Sequence, residues 1–166
     1  AWPAIATASG PARPHSPGAP LRADNWEAAK MVPLTPAMLR GQWEKLDPGK
    51  NDMAKSFAHR MPDLWKACAP GTTLAFAFKG RAVAVYDLVG PDGGIVTVKL
   101  DDKPARQVAM FDGFCTYSRL AKLDCGSDLP DGPHRVAITL TDQAPDKEKI
   151  LFEWNRPQLK QHPEGF

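Results

Sequence analysis

From Thr72 onward, apolar and polar positions alternate. Leu74, Phe76 and Phe78 are spaced by Thr73, Ala75 and Ala77. Val83 and Val85 alternate with Ala82, Ala84 and Tyr86. Val96, Val98 and Leu100 alternate with Ile95, Thr97 and Lys99, and Val136, Ile138 and Leu140 with Arg135, Ala137 and Thr139. A period of two is that of a strand with one buried face. Ile150, Phe152 and Trp154 read as the closing run of the series. Each run stops in turn residues: "FKGR", "GPDGG", "LDDKP", "LPDGPH" and "QAPDK". Strand follows strand with no long helix between. The pattern predicts an all-β fold, an antiparallel β-sandwich or jelly roll over residues 68–154.

Upstream the period changes. Residues 25–67 read as a short, broken helical segment. In "LTPAMLRGQWEKLD", Thr35 suits an N-cap and Pro36 the first helical position, and Met38, Leu39, Gln42, Trp43 and Leu46 fall on one helical face. Gly41 weakens that helix. A second short helix is expected from Asp52 to His59, stopped by Met61-Pro62. Residues 1–24, with "PARPHSPGAP" at their centre, read as an extended Pro/Ala-rich arm or linker. Residues 155–166 read as a loop-like tail.

The chain of 166 residues is long enough for one domain with a sizeable core. A net charge of +2 gives no basic field for nucleic acid. No apolar run approaches the ~20 residues of a membrane span. The chain starts at Ala1, which suggests a processed mature protein or an excised fragment. Its three cysteines, Cys68, Cys115 and Cys125, cannot all pair within one chain. Cys115 and Cys125 could bridge across a turn, and three buried thiols are an equal alternative.

The residues with chemistry cluster at predicted turns. In "VYDLVGPDGG", Tyr86 and Asp87 end a strand and Asp92 sits in the following turn. "MFDGFCTYSRL" supplies Asp112, Tyr117 and Arg119 around another expected strand, and "APDK" supplies Asp146 and Lys147. If these turns meet at one end of a sandwich, carboxylates, cations and a phenol would line a rim suited to sugar hydroxyls, with aromatic faces for pyranose C–H groups. The plainer alternative is that each aspartate bonds its own turn, or that Arg119 locks strands together through Asp87 or Asp112.

Metal chemistry has less support. His15, His59, His134 and His162 are scattered and no zinc-type spacing occurs. Asp87, Asp92, Asp101 and Asp102 are of the kind that holds a structural calcium at turns, although adjacent acids more often mark a solvated turn. No other cofactor is implied. Of the five tryptophans, Trp43 and Trp65 fit packing between the helical segment and the sheets, Trp154 fits the last strand, and Trp2 and Trp26 fit anchors for the arm. An exposed tryptophan would instead support sugar binding.

Taken together, "LWKACAPGTTLAFAFKG", "VYDLVGPDGG", "FDGFCTYSRL", "LPDGPHRVAITL" and "APDKEKILFEW" resemble a β-sandwich accessory domain of bacterial SGNH (GDSL-type) hydrolases, of the jelly-roll kind attached to carbohydrate esterases. The resemblance spans about residues 60–154 and rests most on the Tyr-Asp…Gly-Pro-Asp and Phe-Asp…Cys-Thr-Tyr…Arg-Leu blocks. It implies a secreted or periplasmic setting, and as partner a polysaccharide or a catalytic hydrolase domain or chain. The Gly-Asp-Ser nucleophile block of such hydrolases is absent from this sequence. Asp131 and His134 have the family's base–acid spacing, but the motif precedes an alternating strand, and no nucleophile can be named beside it. Three functions follow: a non-catalytic carbohydrate-binding or cleft-completing module, a docking domain or subunit without a ligand, or a part of a carbohydrate-active hydrolase whose nucleophile lies elsewhere. An enzyme in its own right would need a carboxylate pair such as Asp87 and Asp112 at a hydrolytic separation.

Overall fold

The computed structural model describes residues 18–22 and 25–161. The chain divides into two units, Ala1–Val32 and Pro33–Phe166. Most of the expected Pro-rich arm, Trp2 included, lies outside the described residues. In the first unit, the Trp26 carbonyl accepts from the Ala29 amide at 2.9 Å, and Leu21, Trp26, Met31 and Val32 are exposed.

The second unit is mostly antiparallel strand with a few short helices, an all-β fold. Its largest sheet has the order β1-β4-β9-β6-β7. The strands are β1 Leu39–Arg40, β4 Thr73–Gly80, β6 Ile95–Leu100, β7 Arg106–Ala109 and β9 Gly132–Leu140. Strand β9 is the middle one, running from Thr73↔Thr139 to Gly80↔Gly132 against β4 and from Val96↔Leu140 to Leu100↔Val136 against β6. Two further antiparallel pairs are β2 (Trp43–Lys45) with β3 (Trp65–Ala67), and β5 (Val83–Val89) with β8 (Arg119–Gly126).

The alternation predicted for residues 72–100 and 135–140 is the burial pattern found. Leu74, Val96, Val98, Leu100, Val136 and Ile138 of the large sheet form one core with Leu123 and Cys125 of β8 and Leu129. Each such side chain contributes roughly 1.5–3 kcal/mol on burial. A second, smaller core joins Val89, Phe111, Cys115 and Leu151. A third joins Leu46, Ala54 and Leu64, with Leu88 of β5 packed on it.

Two expectations are corrected. The helix over residues 35–46 is a 3-10 turn, Pro36–Met38, followed by β1 and β2. Gly41 has φ +86°, and a Cβ there would come within 3.1 Å of Thr72 Cα. The left-handed glycine turns the chain away from helix. The sheet edge then captures Leu39–Arg40 opposite Thr73–Leu74, and Trp43 Nε1 donates to the Arg40 and Thr73 carbonyls. Sheet pairing outweighs a modest helical pattern. The second expected helix forms as α1, Asp52–Phe57, with the Asn51 side chain accepting from the Ala54 amide at 2.9 Å.

The closing strand through Ile150, Phe152 and Trp154 is absent. Asp146 caps a short helix α2, Lys147–Ile150, by accepting from the Lys149 amide, and α3, Arg156–Gln161, follows. The alternating aromatics there face solvent rather than a sheet interior. Cys68, Cys115 and Cys125 are all free thiols, the first exposed and the others buried. Trp43 packs on the main core from strand β2 rather than from a helix, while Trp65 lies under the Lys45 ammonium. Among the described residues no helix is long and apolar enough to cross a membrane.

Candidate functional site

The predicted turns do gather. Met110 donates its amide to the Gly94 carbonyl at 2.8 Å, and Lys147 Nζ donates to the Pro91 carbonyl at 2.8 Å. Gly93 allows the first of these approaches, since a Cβ there would overlap the Met110 carbonyl. Phe152 donates its amide to the Gly113 carbonyl at 3.3 Å, and Asn155 Nδ2 donates to the same oxygen at 2.8 Å. Three segments, around residues 90–94, 110–118 and 146–156, are thus tied to one another over the small core of Phe111, Cys115 and Leu151.

Of the predicted polar residues, Asp112, Arg119 and Lys147 hold this junction. Asp112 accepts from the Phe114 amide at 2.9 Å and from a terminal nitrogen of Arg119, and its own amide donates to Cys115 Sγ at 3.2 Å. Asp92 pairs with Lys66 at 3.4 Å. Asp146 is the α2 cap and pairs with Lys149 at 2.9 Å, two hydrogen bonds that hold its carboxyl below the usual range. Lys147 also lies 5.5 Å from the Phe111 ring. Tyr86 is exposed on the outer face of β5, opposite Lys122, away from the junction's inner side. Tyr117 is exposed within the 110–118 segment.

Asp87 behaves differently. It shares the inward face of β5 with Val85 and Val89, and both its carboxylate oxygens are buried with no hydrogen-bond partner. Burial pushes its carboxyl up to about 6. It therefore forms no strut to Arg119, whose ion pair goes to Asp112. Of the two partners expected for Arg119, Asp112 is the one found, and the pair ties β8 to the 110–118 segment rather than strand to strand.

What sequence reasoning did not find is aromatic. Phe114, Phe152 and Trp154 form a continuous exposed stack. Phe114 meets Phe152 edge-on with centroids 4.7 Å apart, and Phe152 lies parallel to Trp154 at 4.7 Å with 19° between planes. The Arg119 guanidinium sits 5.8 Å from the Phe114 ring. Fractional exposures are 50% for Phe114, 38% for Phe152 and 69% for Trp154, with Tyr117 at 60% nearby in sequence. Gly113 makes the stack fit: a Cβ there would lie 2.7 Å from the Phe152 ring. The readable signal was the pair of aromatics at 152 and 154 beside "DGF" at 112–114. Their alternation suggested a strand because period two cannot distinguish a buried sheet face from two rings leaning together on a surface.

Elsewhere, His134 opens β9 and is buried. Its Nδ1 donates to Asp101 Oδ2 at 2.8 Å and Nε2 to the Pro130 carbonyl at 2.9 Å. With acceptors at both nitrogens the imidazolium is favoured, so its pKa is raised, first by the Pro130 carbonyl and then by Asp101. Asp131 takes no part, so the Asp131–His134 spacing builds no acid–base pair. Asp101, at φ 50°, also accepts from the Arg135 amide, and its carboxyl is held low by that bond and by His134. Among the described residues, no three acidic, histidine or cysteine side chains lie together as metal ligands. No protein-family model and no curated protein matches this chain.

Proposed function

We propose that the second unit is a non-catalytic carbohydrate-binding module, a β-sandwich or jelly-roll accessory domain of an SGNH-type esterase system, acting outside the cytoplasm. The exposed Phe114–Phe152–Trp154 stack carries this reading. Aromatic rings turned to solvent cost hydrophobic free energy unless something covers them, and pyranose C–H faces are suited to a ring flanked by a guanidinium and a carboxylate. A stack tied down at Gly113 is ordered before ligand arrives, which lowers the entropic cost of binding. The Asp112–Arg119 pair at its edge supplies donors and acceptors for sugar hydroxyls.

The test is calorimetric titration of the purified chain with a panel of soluble polysaccharides. Binding in the micromolar-to-millimolar range is expected, weakened about tenfold by Trp154→Ala, equivalent to about 1.4 kcal/mol. Arg119→Ala and Tyr117→Ala weaken it further. Absence of binding across the panel, or full affinity in Trp154→Ala, overturns the assignment.

A docking role for the first unit rests on a separate observation. Leu21, Trp26, Met31 and Val32 are exposed there, the composition of a segment that lies on another chain. Cross-linking of the chain to a co-expressed hydrolase through residues 20–32 checks it.

A further inference from the structure

Among the described residues, the buried side-chain polar atoms without a hydrogen-bond partner are Asp87 Oδ1, Asp87 Oδ2 and Arg119 Nε. All three belong to one face of one strand pair. Val89 is the register partner of Arg119, and Asp87 lies two residues before Val89, so Asp87 and Arg119 are diagonal neighbours on the inward face. Diagonal side chains in an antiparallel pair stand about 7–8 Å apart, within an arginine's reach. A buried carboxylate and a buried guanidinium nitrogen are thus both left unsatisfied although either could satisfy the other. Arg119 instead gives a terminal nitrogen to Asp112, the residue that also accepts from the Phe114 amide.

We propose that Asp87 and Asp112 compete for Arg119, so that the charge on Asp87 sets how firmly the segment carrying Phe114 is held. With Asp87 neutral, the strand pair holds no anion to draw the guanidinium inward, and Arg119 stays on the Asp112 carboxylate beside the Phe114 ring. With Asp87 ionised, a desolvated anion stands in reach. Turning inward satisfies Arg119 Nε and the carboxylate together and leaves Asp112 to solvent. The exchange involves proton loss from Asp87 to water and a change of hydrogen-bond partner, with no covalent step.

The surrounding groups leave Asp87 as the one that changes. On β8, the Cys125 thiol is pushed up to about 11 by burial, and in the 110–118 segment burial also raises Cys115, so both stay neutral. Lys147 of α2 is engaged by the Pro91 carbonyl, and Arg106 of β7 by the Asp124 carbonyl. Val98 and Leu100 of β6 add only apolar surface to the shared core. The carboxyl held up at about 6 places the exchange between mildly acidic and neutral pH. This inference does not require that the aromatic stack bind sugar.

The test is an NMR titration of the isotope-labelled full chain from pH 4 to 8. The Asp87 carboxyl carbon titrates near 6, the Arg119 Nε–Hε resonance moves with the same midpoint, and the protection factor of the Phe114 amide falls several-fold above it. In Asp87→Asn the Arg119 and Phe114 responses vanish. An Arg119 resonance that ignores the Asp87 titration, or a Phe114 response that persists in Asp87→Asn, overturns the competition. Should Asp87→Asn fail to fold, unequal wild-type midpoints for Asp87 and Arg119 overturn it alone.

Discussion

Val98 and Val136 are each 2% exposed in the large sheet, whereas Phe114 and Trp154, in the segments around the small core, are 50% and 69% exposed. Both regions are built from apolar side chains fixed by backbone hydrogen bonds. In the sheet, the ladder sets the side chains and Leu123, Cys125 and Leu129 pack over them. In the 110–118 and 150–156 segments, bonds to the Gly113 carbonyl and the Asp112 carboxylate set the rings and leave them uncovered. Position without cover is what the proposed binding role of the stack rests on. The contrast predicts that substitutions in the sheet act on stability, and those in the stack on binding.

The sharpest way to break that contrast is in the core. Leu123→Ala is expected to cost about 2–5 kcal/mol in chemical denaturation, with retained binding wherever the protein is folded. Gly93→Ala is of similar size, because its Cβ would overlap the Met110 carbonyl and pull the 90–94 turn off the 110–118 segment. A wild-type-like denaturation midpoint for Gly93→Ala would show that the two segments are not rigidly joined.

Next comes the buried acid between the regions. An acid whose folded pKa is raised binds more protons folded than unfolded between its two values, so its contribution to stability falls as pH rises from about 3.8 to about 6. The full shift corresponds to about 3 kcal/mol. Partial exposure reduces the expected gain from Asp87→Asn to about 1–2 kcal/mol at pH 7.5, vanishing near pH 4. Equal gains at both pH values would show that burial, not charge, is the cost. His134 acts in the same direction. Its raised pKa gives stability that is complete below 6.5 and lost as pH climbs through the folded value, while the lowered Asp101 gives stability lost on acidification below 3.8. The unit should therefore melt highest in mildly acidic buffer, and a melting temperature that keeps rising to pH 8 contradicts both assignments.

The smallest effect on stability is expected at the stack. Trp154→Ala should change unfolding free energy by no more than about 0.5 kcal/mol. A loss of core size would make Trp154 a structural residue and remove the distinction between the regions.

The sequence showed the sheet more clearly than the site. The alternations at 73–78, 83–85, 95–100 and 135–140 were readable because a half-buried strand leaves that pattern in any surroundings. The strand expected around 110–120 is displaced: that stretch turns, and β8 begins at Arg119, where Lys122 and Asp124 obscure the face that runs through Ala121, Leu123 and Cys125. β1 and β2 were lost to a helical reading that only the Thr73–Leu74 edge and Gly41 overturn. At the site, the gathering of turns was foreseeable from a β-fold, and Asp112 and Arg119 were named. The choice between Asp87 and Asp112 as the partner of Arg119 was left open, and the burial of Asp87 on the inward face follows from the register Val89↔Arg119, which composition does not encode.

Strand β9 has a consequence in time as well as space. It is the last strand of the large sheet in the chain, yet it lies between β4 and β6. Until Gly132–Leu140 has emerged from the ribosome, β4 and β6 each lack the neighbour that separates them, and their edges stand open to pairing with other chains. The central ladder then closes over a separation of some sixty residues, the kind of contact that slows folding. A chain truncated before residue 132 should therefore aggregate rather than remain as a smaller sheet.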